Sequence, residues 1–303
     1  EFNMIDIDYD SPIALKSLLE SRGLTVKKRF GQNFLINKGA RTKIIDSLGI
    51  KTGDRVWEIG PGVGSLTHKL VEKEIQLTVF EIDRGFVRVL EDLFEGKSGL
   101  KIVTGDFIHT WKQVVEMSGL PDIIVGNLPY SSAAAIILSL TEGEISPRKL
   151  VCTVQKESAQ RMTAREGSAD YSSFSVLCSL IWNIRSLGDL KGGSFYPPPK
   201  VKSTVLELLP SGEELLVSRA VLLKVVRELF AGRRKTIRNN VIMFAKKIAV
   251  PSNILLSAVE STGIDTGLRP GDLDPQKVQS LVLSIEKHLQ NLPAQGVNYE
   301  KQT

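Results

Sequence analysis

The sequence predicts an α/β fold: a mostly parallel sheet with helices on both faces, followed by a smaller all-helical domain. Three observations support this prediction. Short apolar runs alternate with helix-length segments as far as residue 157, which is typical of parallel sheets. Two more strand-like runs follow, and from Glu213 onward only helical patterns occur. The chain has 303 residues, which is enough for two domains.

The elements follow from local signals along the chain. A first helix begins at Ser11-Pro12, where serine is a good cap and proline fits the first turn, and it stops at Gly23. The predicted strands are Arg55–Ile59, Ile75–Phe80, Lys101–Val103, Asp122–Val125, Lys149–Gln155, Asn183–Leu190 and Ser203–Leu209. Helices are predicted at Leu66–Glu74, Arg84–Phe94, Ser158–Ala164 and Ser173–Trp182. The C-terminal helices have two apolar faces, formed by Leu222, Val226, Leu229 and Phe230 and by Ile237, Val241 and Phe244.

These elements divide the chain into a 1–25 appendage, a 26–210 sheet domain and a 211–303 helical domain, with a boundary at Pro210-Ser211-Gly212. The residues Glu1-Phe2-Asn3 before Met4 resemble a cloning remnant. No apolar run approaches the roughly 18 residues of a membrane span. Two cysteines exclude a disulfide scaffold and indicate a reducing cytoplasm, and the three histidines have no metal-ligand spacing.

Basic residues are concentrated in two places on a chain whose net charge is +5 and whose pI is about 9.1. Lys27-Lys28-Arg29 lies near the start. Six more lie between Glu228 and Glu260 with no acidic residue among them: Arg233, Arg234, Lys235, Arg238, Lys246 and Lys247. Each cluster alone also fits an ordinary solvated surface. Together they favour a polyanionic partner.

A glycine-rich turn, Glu58-Ile59-Gly60-Pro61-Gly62-Val63-Gly64, follows one strand and precedes a helix. Glycines such as Gly60 and Gly62 allow a sharp turn and let a ligand approach the backbone. The spacing is neither that of dinucleotide binders nor that of a phosphate loop, so NAD and ATP are not favoured. A tight turn without a ligand remains the alternative for this motif alone.

Acidic residues end the next two strands. Glu81, which Ile82 follows, lies 21 positions after Gly60 and can accept both hydroxyls of a ribose. Asp106 can accept from the exocyclic amine of an adenine beside the apolar Phe107. Ligands of such sheets lie at the carboxyl ends of the strands, where all three features fall. The pattern predicts a nucleoside cofactor without a pyrophosphate, hence S-adenosylmethionine.

The fourth strand leads into Asn127-Leu128-Pro129-Tyr130, and with this motif the sequence resembles the methyltransferases that act on exocyclic amines. Further segments resemble the KsgA family of small-subunit ribosomal RNA adenine N6,N6-dimethyltransferases. The matching segments, in order, are Lys28–Leu35, Glu58–Gly64, Asn127–Tyr130, Phe195–Val201 and Phe230–Asn239. The resemblance extends from about Ser11 to about Leu283. It implies a Rossmann-like, seven-stranded S-adenosylmethionine-dependent methyltransferase domain.

The chemistry required of this motif can be stated directly. Adenine N6 is a poor nucleophile, because its lone pair is delocalised into the ring. Asn127 and the carbonyl of Leu128 can hold its two N–H groups, Pro129 fixes the turn, and Tyr130 offers a flat face to the base. The resemblance implies that Phe195 supplies the second stacking surface.

The resemblance also places Asn33 and Leu35 over the methionine part of the cofactor. After Tyr130 the family often has Asn-Ile-Ser-Thr, whereas this chain has Ser131–Ala134, smaller residues that would widen the pocket floor.

The activity implied is dimethylation of two adjacent adenosines in the 3′-terminal hairpin loop of small-subunit (16S) rRNA. The RNA is expected to be held by Lys28, Arg29, Arg233, Arg234, Lys235 and Arg238. The expected enzyme is a cytoplasmic monomer that acts on a pre-30S particle in ribosome biogenesis, without metal or membrane. Two alternatives stay open: a large-subunit adenine methyltransferase of the macrolide-resistance type, and a non-catalytic RNA-binding assembly or transcription factor.

Overall fold

The computed structural model describes residues 7–26 and 32–292. They form two compact units. The first contains the described residues up to Ala159 together with Asn183–Pro210, and the second contains Gln160–Trp182 together with the described residues from Ser211 onward. The sequence pattern predicts that 160–182 belongs to the sheet domain. In the structure this helical segment clusters with the C-terminal helices instead.

The strands of the first unit form a seven-stranded sheet and a small two-stranded ladder. In chain order they are β1 (Phe34–Leu35), β2 (Arg55–Ile59), β3 (Gln76–Glu81), β4 (Leu100–Thr104), β5 (Ile123–Asn127), β6 (Lys149–Gln155), β7 (Trp182–Leu190), β8 (Phe195–Tyr196) and β9 (Ser203–Pro210). The sheet order is β4-β3-β2-β5-β6-β9-β7. The pairs β4–β3, β3–β2, β2–β5 and β5–β6 are all parallel, and β9 is antiparallel to β6. This is the mostly parallel sheet that the sequence predicted.

Twelve α-helices occur among the described residues. They are α1 (Pro12–Ser21), α2 (Lys38–Leu48), α3 (Thr67–Leu70), α4 (Arg84–Leu93), α5 (Phe107–Ser118), α6 (Ala133–Glu142), α7 (Lys156–Met162), α8 (Ser173–Ile181), α9 (Arg219–Leu229), α10 (Ile237–Lys247), α11 (Ser252–Glu260) and α12 (Pro275–Gln290). The predicted cap of α1 is confirmed, because the Ser11 hydroxyl accepts from the backbone N–H of Ala14. No described helix is both long and apolar enough to cross a membrane.

One helix is shorter than the sequence predicted. The apolar pattern predicted Leu66–Glu74, but only the residues of α3 are helical. Tight bonds end the helix, since the N–H of Lys73 donates to the carbonyl of Leu70 and that of Ile75 to Lys73. The chain turns here because β3 must begin at Gln76, whose N–H bonds back to the carbonyl of Asp54.

The two-stranded ladder was not predicted. It joins β1, near the start of the chain, to β8, in the proline-rich loop that leads into β9. Phe34 lies opposite Tyr196, and Leu35 lies opposite Phe195. Two-residue strands carry too short a pattern to be recognised from sequence. The ladder matters because it fixes two predicted site segments against each other.

Three aromatic residues, one each from β2, β3 and α5, form a buried cluster. The rings of Trp57, Phe80 and Phe107 meet edge to face, with centroids 5.0–6.2 Å apart. All three side chains are buried. Such pairs stabilise the fold beyond the effect of burying the rings, so we expect the cluster to contribute to stability.

Replacing Trp57 with alanine tests how much this aromatic cluster contributes to stability. We expect the free energy of unfolding to fall by about 3–5 kcal/mol, the usual cost of a large core cavity. Urea denaturation measures the change. The control is Met117→Ala, whose side chain is 59% exposed and whose loss should change the value by less than about 0.5 kcal/mol. Equal effects of the two substitutions on the free energy of unfolding would show that the cluster does not stabilise the fold.

Candidate active site

The carboxyl ends of β2, β3, β4 and β5 lead into loops that surround one cavity of about 250 Å³. Nine of the predicted site residues line it: Asn33, Gly60, Gly62, Glu81, Ile82, Asp106, Phe107, Asn127 and Pro129. The predicted residues Leu35, Leu128, Tyr130 and Phe195 do not. The sequence therefore located the edge of the sheet and most of its lining.

The glycine-rich turn is shaped by a close approach of Phe34. Gly62 has φ +58°, in the left-handed region, and a Cβ there would lie 2.8 Å from Cε1 of Phe34. The Phe34 ring is itself buried and packs edge to face on Phe86, with centroids 5.4 Å apart. Only glycine fits this backbone and this space.

The Glu81 carboxylate ties this turn to the end of β3. Its Oε2 accepts from the backbone N–H of Gly62 (3.0 Å), and its Oε1 accepts from that of Asp83 (2.8 Å). Burial raises the pKa of Glu81 to about 7, although the two amide bonds favour the charged form. Each carboxylate oxygen can accept a second bond, so Glu81 can still receive hydroxyl groups.

Glu58 is a second buried carboxyl in the cavity wall, to which the sequence analysis gave no role. It is 1% exposed, and its Oε2 accepts from the Thr67 hydroxyl at 2.7 Å. Burial, and to a lesser extent the nearby charge of Glu81, raise the pKa of Glu58 to about 8. Glu58 is therefore mostly protonated at neutral pH. Its position as the last acid before the glycines was the signal that could have identified it.

The lining also includes two apolar side chains and a further carboxylate. Ile82, which is 42% exposed, and the buried Phe107 both line the cavity. Asp106 caps α5 by accepting from the N–H of Ile108 through Oδ1 (3.0 Å). Apolar side chains and the two carboxylates of Asp106 and Glu81 supply the contact surface and the hydrogen-bond acceptors that the ring, the amine and the hydroxyls of an adenosine require. The cavity thus fits the nucleoside cofactor expected from the sequence.

Asn127 connects the Asn-Leu-Pro-Tyr motif to the segment that precedes β1. Its Nδ2 donates to the carbonyl of Asn33 at 2.6 Å. A carbonyl can only accept, so this bond fixes the orientation of the amide group. No described residue donates to Oδ1 of Asn127. That oxygen is therefore available to accept a hydrogen bond from a substrate amine.

The rest of the motif is held by the neighbouring strands. The backbone N–H of Leu128, whose side chain is buried, donates to the carbonyl of Thr153 in β6 (3.1 Å). The Tyr130 hydroxyl is bonded to that of Ser203 in β9 (2.5 Å). This bond holds the tyrosine ring, and burial raises the Tyr130 pKa above its usual value. Ser131 and Ser132, where the family often has larger residues, line the cavity.

The structure does not present Phe195 or Leu35 as ligand-contacting side chains. Phe195 is 2% exposed and Leu35 is fully buried, and both belong to the hydrophobic core. The ladder between β1 and β8 explains this, because opposed residues of a pair point to the same side. In this structure, therefore, the two rings of Tyr130 and Phe195 do not form the stacking pair that the resemblance implied.

Four of the six predicted RNA-contacting residues belong to a different unit from the strands that lead into the cavity. Lys28 and Arg29 fall outside the described residues. Arg233, Arg234, Lys235 and Arg238 belong to the second unit and are exposed. The Arg233 side chain already has partners within the protein, because its Nη2 donates to the carbonyls of Ala169 (2.6 Å) and Tyr171 (2.9 Å). Arg234 and Arg238 form no ion pair with any described residue.

The N-terminal appendage takes part in building the site, which the sequence did not reveal. The Tyr9 hydroxyl donates to the carbonyl of Val63 in the glycine-rich turn (3.1 Å). The buried Arg41 uses Nη1 to donate to the carbonyls of Tyr9 (3.2 Å) and Leu35 (3.0 Å). The same arginine forms an ion pair with Asp10. These contacts connect residues 54 and 32 positions apart, so no local pattern announces them.

Within 7–26 and 32–292, no group of three or more His, Cys, Asp or Glu side chains has the arrangement of a metal site.

Comparisons with known proteins point to one family. The family model described as ribosomal RNA adenine dimethylase matches residues 23–265. Ribosomal RNA small subunit methyltransferase A of Treponema denticola is 39% identical over 270 residues, covering 88% of this chain and 92% of that protein. The protein of the same name from Treponema pallidum is 37% identical, with 88% and 93% covered. The solved structure of a dimethyladenosine transferase from Plasmodium falciparum aligns with a TM-score of 0.69 and 25% identity, over 83% of this chain and 97% of that one.

The close approach of Phe34 can be tested with a matched pair of glycines. Gly62→Ala should lower the affinity for S-adenosylmethionine at least 10-fold, because the added methyl group displaces Phe34 from the cavity wall. Gly23 has almost the same φ, +60°, but no atom lies within 4 Å of its Cβ position. Gly23→Ala therefore imposes similar backbone strain and should leave the affinity unchanged. Calorimetric titration gives both values, and unchanged affinity in the Gly62 variant would contradict the expected clash.

The protonated Glu58 predicts a dependence of stability on pH. Its pKa is about 8 when folded and near 4.5 when unfolded, so the folded state holds a proton that the unfolded state releases between these values. Stability conferred by that proton is complete below about pH 4.5 and is lost as the pH rises to about 8, by up to about 1.4 kcal/mol per pH unit. Glu58→Gln should flatten this decline, as measured by urea denaturation from pH 5 to 8.5.

The control for this series is Glu72→Gln, whose side chain is 62% exposed and which should leave the slope unchanged. If the slope of the Glu58 variant equals that of the parent protein, Glu58 is not the group that binds the proton.

Proposed function

Since this chain belongs to the ribosomal RNA adenine dimethylase family, we propose that it dimethylates N6 of two adjacent adenosines in the 3′-terminal hairpin loop of small-subunit rRNA. S-adenosylmethionine is the methyl donor, and N6,N6-dimethyladenosine is the product. The observation that carries the proposal is that Asn127 and Pro129 line the same cavity as Glu81 and Asp106. The motif for an exocyclic amine and the acceptors for a nucleoside thus face one space.

We propose the following roles for the residues that line the cavity. Glu81 accepts from the ribose hydroxyls, Asp106 accepts from the adenine amine, and Ile82 and Phe107 contact the adenine ring. Gly60 and Gly62 let the backbone approach the ligand, and Asn33 closes the cavity on the side of Asn127. When bound, S-adenosylmethionine supplies an electrophilic methyl group on a sulfonium that is a good leaving group.

The protein's task toward the substrate is to hold the adenine amine. Oδ1 of Asn127 and the carbonyl of Leu128 accept from the two N–H groups, which favours a more tetrahedral nitrogen with its lone pair directed at the methyl group. Pro129 has no N–H to compete for these acceptors. After transfer, N6 carries a positive charge and readily releases its proton to water. Positioning therefore provides most of the rate enhancement, and neither a strong base nor a metal is required.

The stacking arrangement is the part of the resemblance that we revise. Tyr130 remains the face against which the target base stacks, since its ring is held through Ser203. The buried Phe195 is proposed to act as a positioning residue. It anchors β8 against β1 and so holds Asn33 beside Asn127.

The substrate and partner assignments extend the family relationship. The RNA is proposed to be presented in a pre-30S particle during ribosome biogenesis, in the cytoplasm, and the enzyme to act as a monomer. Arg234, Lys235 and Arg238 are proposed to bind its phosphates. A hairpin loop suits the chemistry, because a base stacked in a duplex does not reach an enclosed cavity.

Methyl transfer to unmodified small subunits tests the proposed function. The protein should transfer tritium from labelled S-adenosylmethionine to these particles, and mass spectrometry of the digested rRNA should find dimethyladenosine in the 3′-terminal hairpin. Asn127→Ala should reduce turnover by at least about 100-fold, because the amine loses its acceptor. Asn127→Asp keeps an oxygen acceptor but loses the bond to Asn33, and should retain more activity than the alanine variant.

Large subunits serve as the control substrate and should remain unlabelled. Label in large subunits alone would favour the macrolide-resistance type of activity. Binding of RNA without any label would favour a non-catalytic factor.

A further inference from the structure

The turn between α9 and α10 carries three consecutive basic residues, Arg233, Arg234 and Lys235. A loop of this kind would ordinarily adopt many backbone conformations, because each unrestrained residue has considerable entropy. In this protein the turn is held from beneath by one side chain, that of Asn240, which lies on the first turn of α10 and is 1% exposed.

The Asn240 amide makes four hydrogen bonds to the backbone of the turn. Its Oδ1 accepts from the N–H of Gly232 (3.0 Å). Its Nδ2 lies within hydrogen-bond distance of three carbonyls, those of Gly232 (3.1 Å), Lys235 (3.3 Å) and Thr236 (3.1 Å), so one of its two N–H groups is shared between two acceptors. Only an amide offers an acceptor and two N–H donors on one planar group. The bonded backbone groups belong to the residue before the three basic residues, to the last of the three, and to the residue after them.

Other contacts show that the turn is shaped around this side chain. A Cβ on Gly232 would lie 2.6 Å from Oδ1 of Asn240, so glycine is required for the approach. The first amides of α10 are also occupied, since Ile237 donates to the carbonyl of Leu268 (2.7 Å) and Arg238 to that of Thr266 (3.0 Å). The turn is therefore ordered before any ligand binds.

The side chains of Arg233 and Arg234 differ in their contacts: Arg233 is bonded within the protein, and Arg234 is exposed. The guanidinium group of Arg233 is bonded to the carbonyls of Ala169 and Tyr171 and braces the turn from outside. Arg234 is exposed and forms no ion pair with the described residues, so it can bind an anion. Asn240 itself is buried and cannot touch the RNA. Its effect on RNA binding has to pass through the backbone.

We propose that Asn240 is a positioning residue for RNA binding, holding the Arg233–Lys235 turn in the one conformation that presents its charges to phosphates. The proposal rests on the proposed function, because it takes RNA as the ligand of this turn. Preorganisation strengthens binding by removing the entropy that ordering would cost at the moment of association.

The test compares Asn240→Ala with the parent protein and with Asn253→Ala, which changes an exposed asparagine of α11 outside the Phe230–Asn239 segment. The probe is the 3′-terminal hairpin RNA, with binding measured over a salt series. We expect Asn240→Ala to weaken RNA binding about 10-fold and to raise KM for RNA while kcat stays unchanged. The affinity for S-adenosylmethionine should not change, and Asn253→Ala should behave like the parent protein.

The salt series separates positioning from direct contact. Asn240→Ala keeps every charge, so the slope of log K against log salt should stay the same. Arg234→Ala removes a phosphate contact and should reduce that slope by roughly 0.7–0.9. A purely structural role for Asn240 would lower the melting temperature and leave RNA affinity intact at temperatures where the variant is folded. That outcome would overturn the proposal.

Gly232→Ala is the second variant, which disturbs the same bonds from the opposite side and should reproduce the loss of RNA affinity. It decides the question if Asn240→Ala does not fold, and RNA binding equal to that of the parent protein would again overturn the proposal. The proposed function is tested separately by methyl transfer in the parent protein. A parent protein that binds the hairpin tightly but does not methylate it would contradict the function without touching the role of Asn240.

Discussion

The cofactor edge of this protein depends on a charge that burial disfavours. The Glu81 carboxylate is 5% exposed and lies next to a second buried carboxyl, that of Glu58. Two backbone amides, those of Gly62 and Asp83, donate to it from the turns that follow β2 and β3. Since a buried carboxylate needs such donors, both turns have to keep their conformations for the charge to exist. The same bonds therefore create the acceptor and shape the cavity around it.

The remaining walls of the cavity come from parts of the chain that are distant in sequence. The bond from Asn127 to the carbonyl of Asn33 spans 94 residues, and the β1–β8 ladder connects the same segment to the proline-rich loop. Arg41 connects it to the appendage at Tyr9. A displacement of any one of these segments would reach the Asn127 amide through hydrogen bonds. This dependence explains how buried residues such as Phe195 can matter for the reaction without touching a ligand.

The sequence allowed the sheet and its functional edge to be predicted because their signals are local. Apolar runs such as Arg55–Ile59 and Lys149–Gln155 match the observed strands residue for residue. Glu81 and Asp106 were identified because parallel strands end at a common edge. Burial of Phe195 and the grouping of 160–182 with the C-terminal helices could not be predicted in this way. Both depend on which distant surfaces pack together, and a motif that names a residue type does not specify its exposure.

The same contrast holds in the basic turn. The Arg-Arg-Lys run is evident in the sequence, whereas nothing in the sequence distinguishes Asn240 from other polar residues on a helix. Its importance comes from burial combined with four backbone partners. A buried amide is costly unless its bonds are satisfied, so a fully satisfied one indicates a backbone conformation that the fold maintains.

The chemistry proposed for the cavity recognises very little of an RNA. An adenine amine offers two N–H groups and one lone pair, and its ring offers one face, so Asn127 and Tyr130 would accept any unpaired adenosine. Selection among adenosines has to come from the positions of phosphates around the target. Basic side chains on a flexible loop bind any polyanion, since the loop adapts to each spacing. The same side chains on a fixed backbone favour the RNA whose phosphates already match, because other spacings leave charges unpaired. The hydrogen bonds of a single buried asparagine can in this way contribute to specificity, although the asparagine meets neither the cofactor nor the RNA.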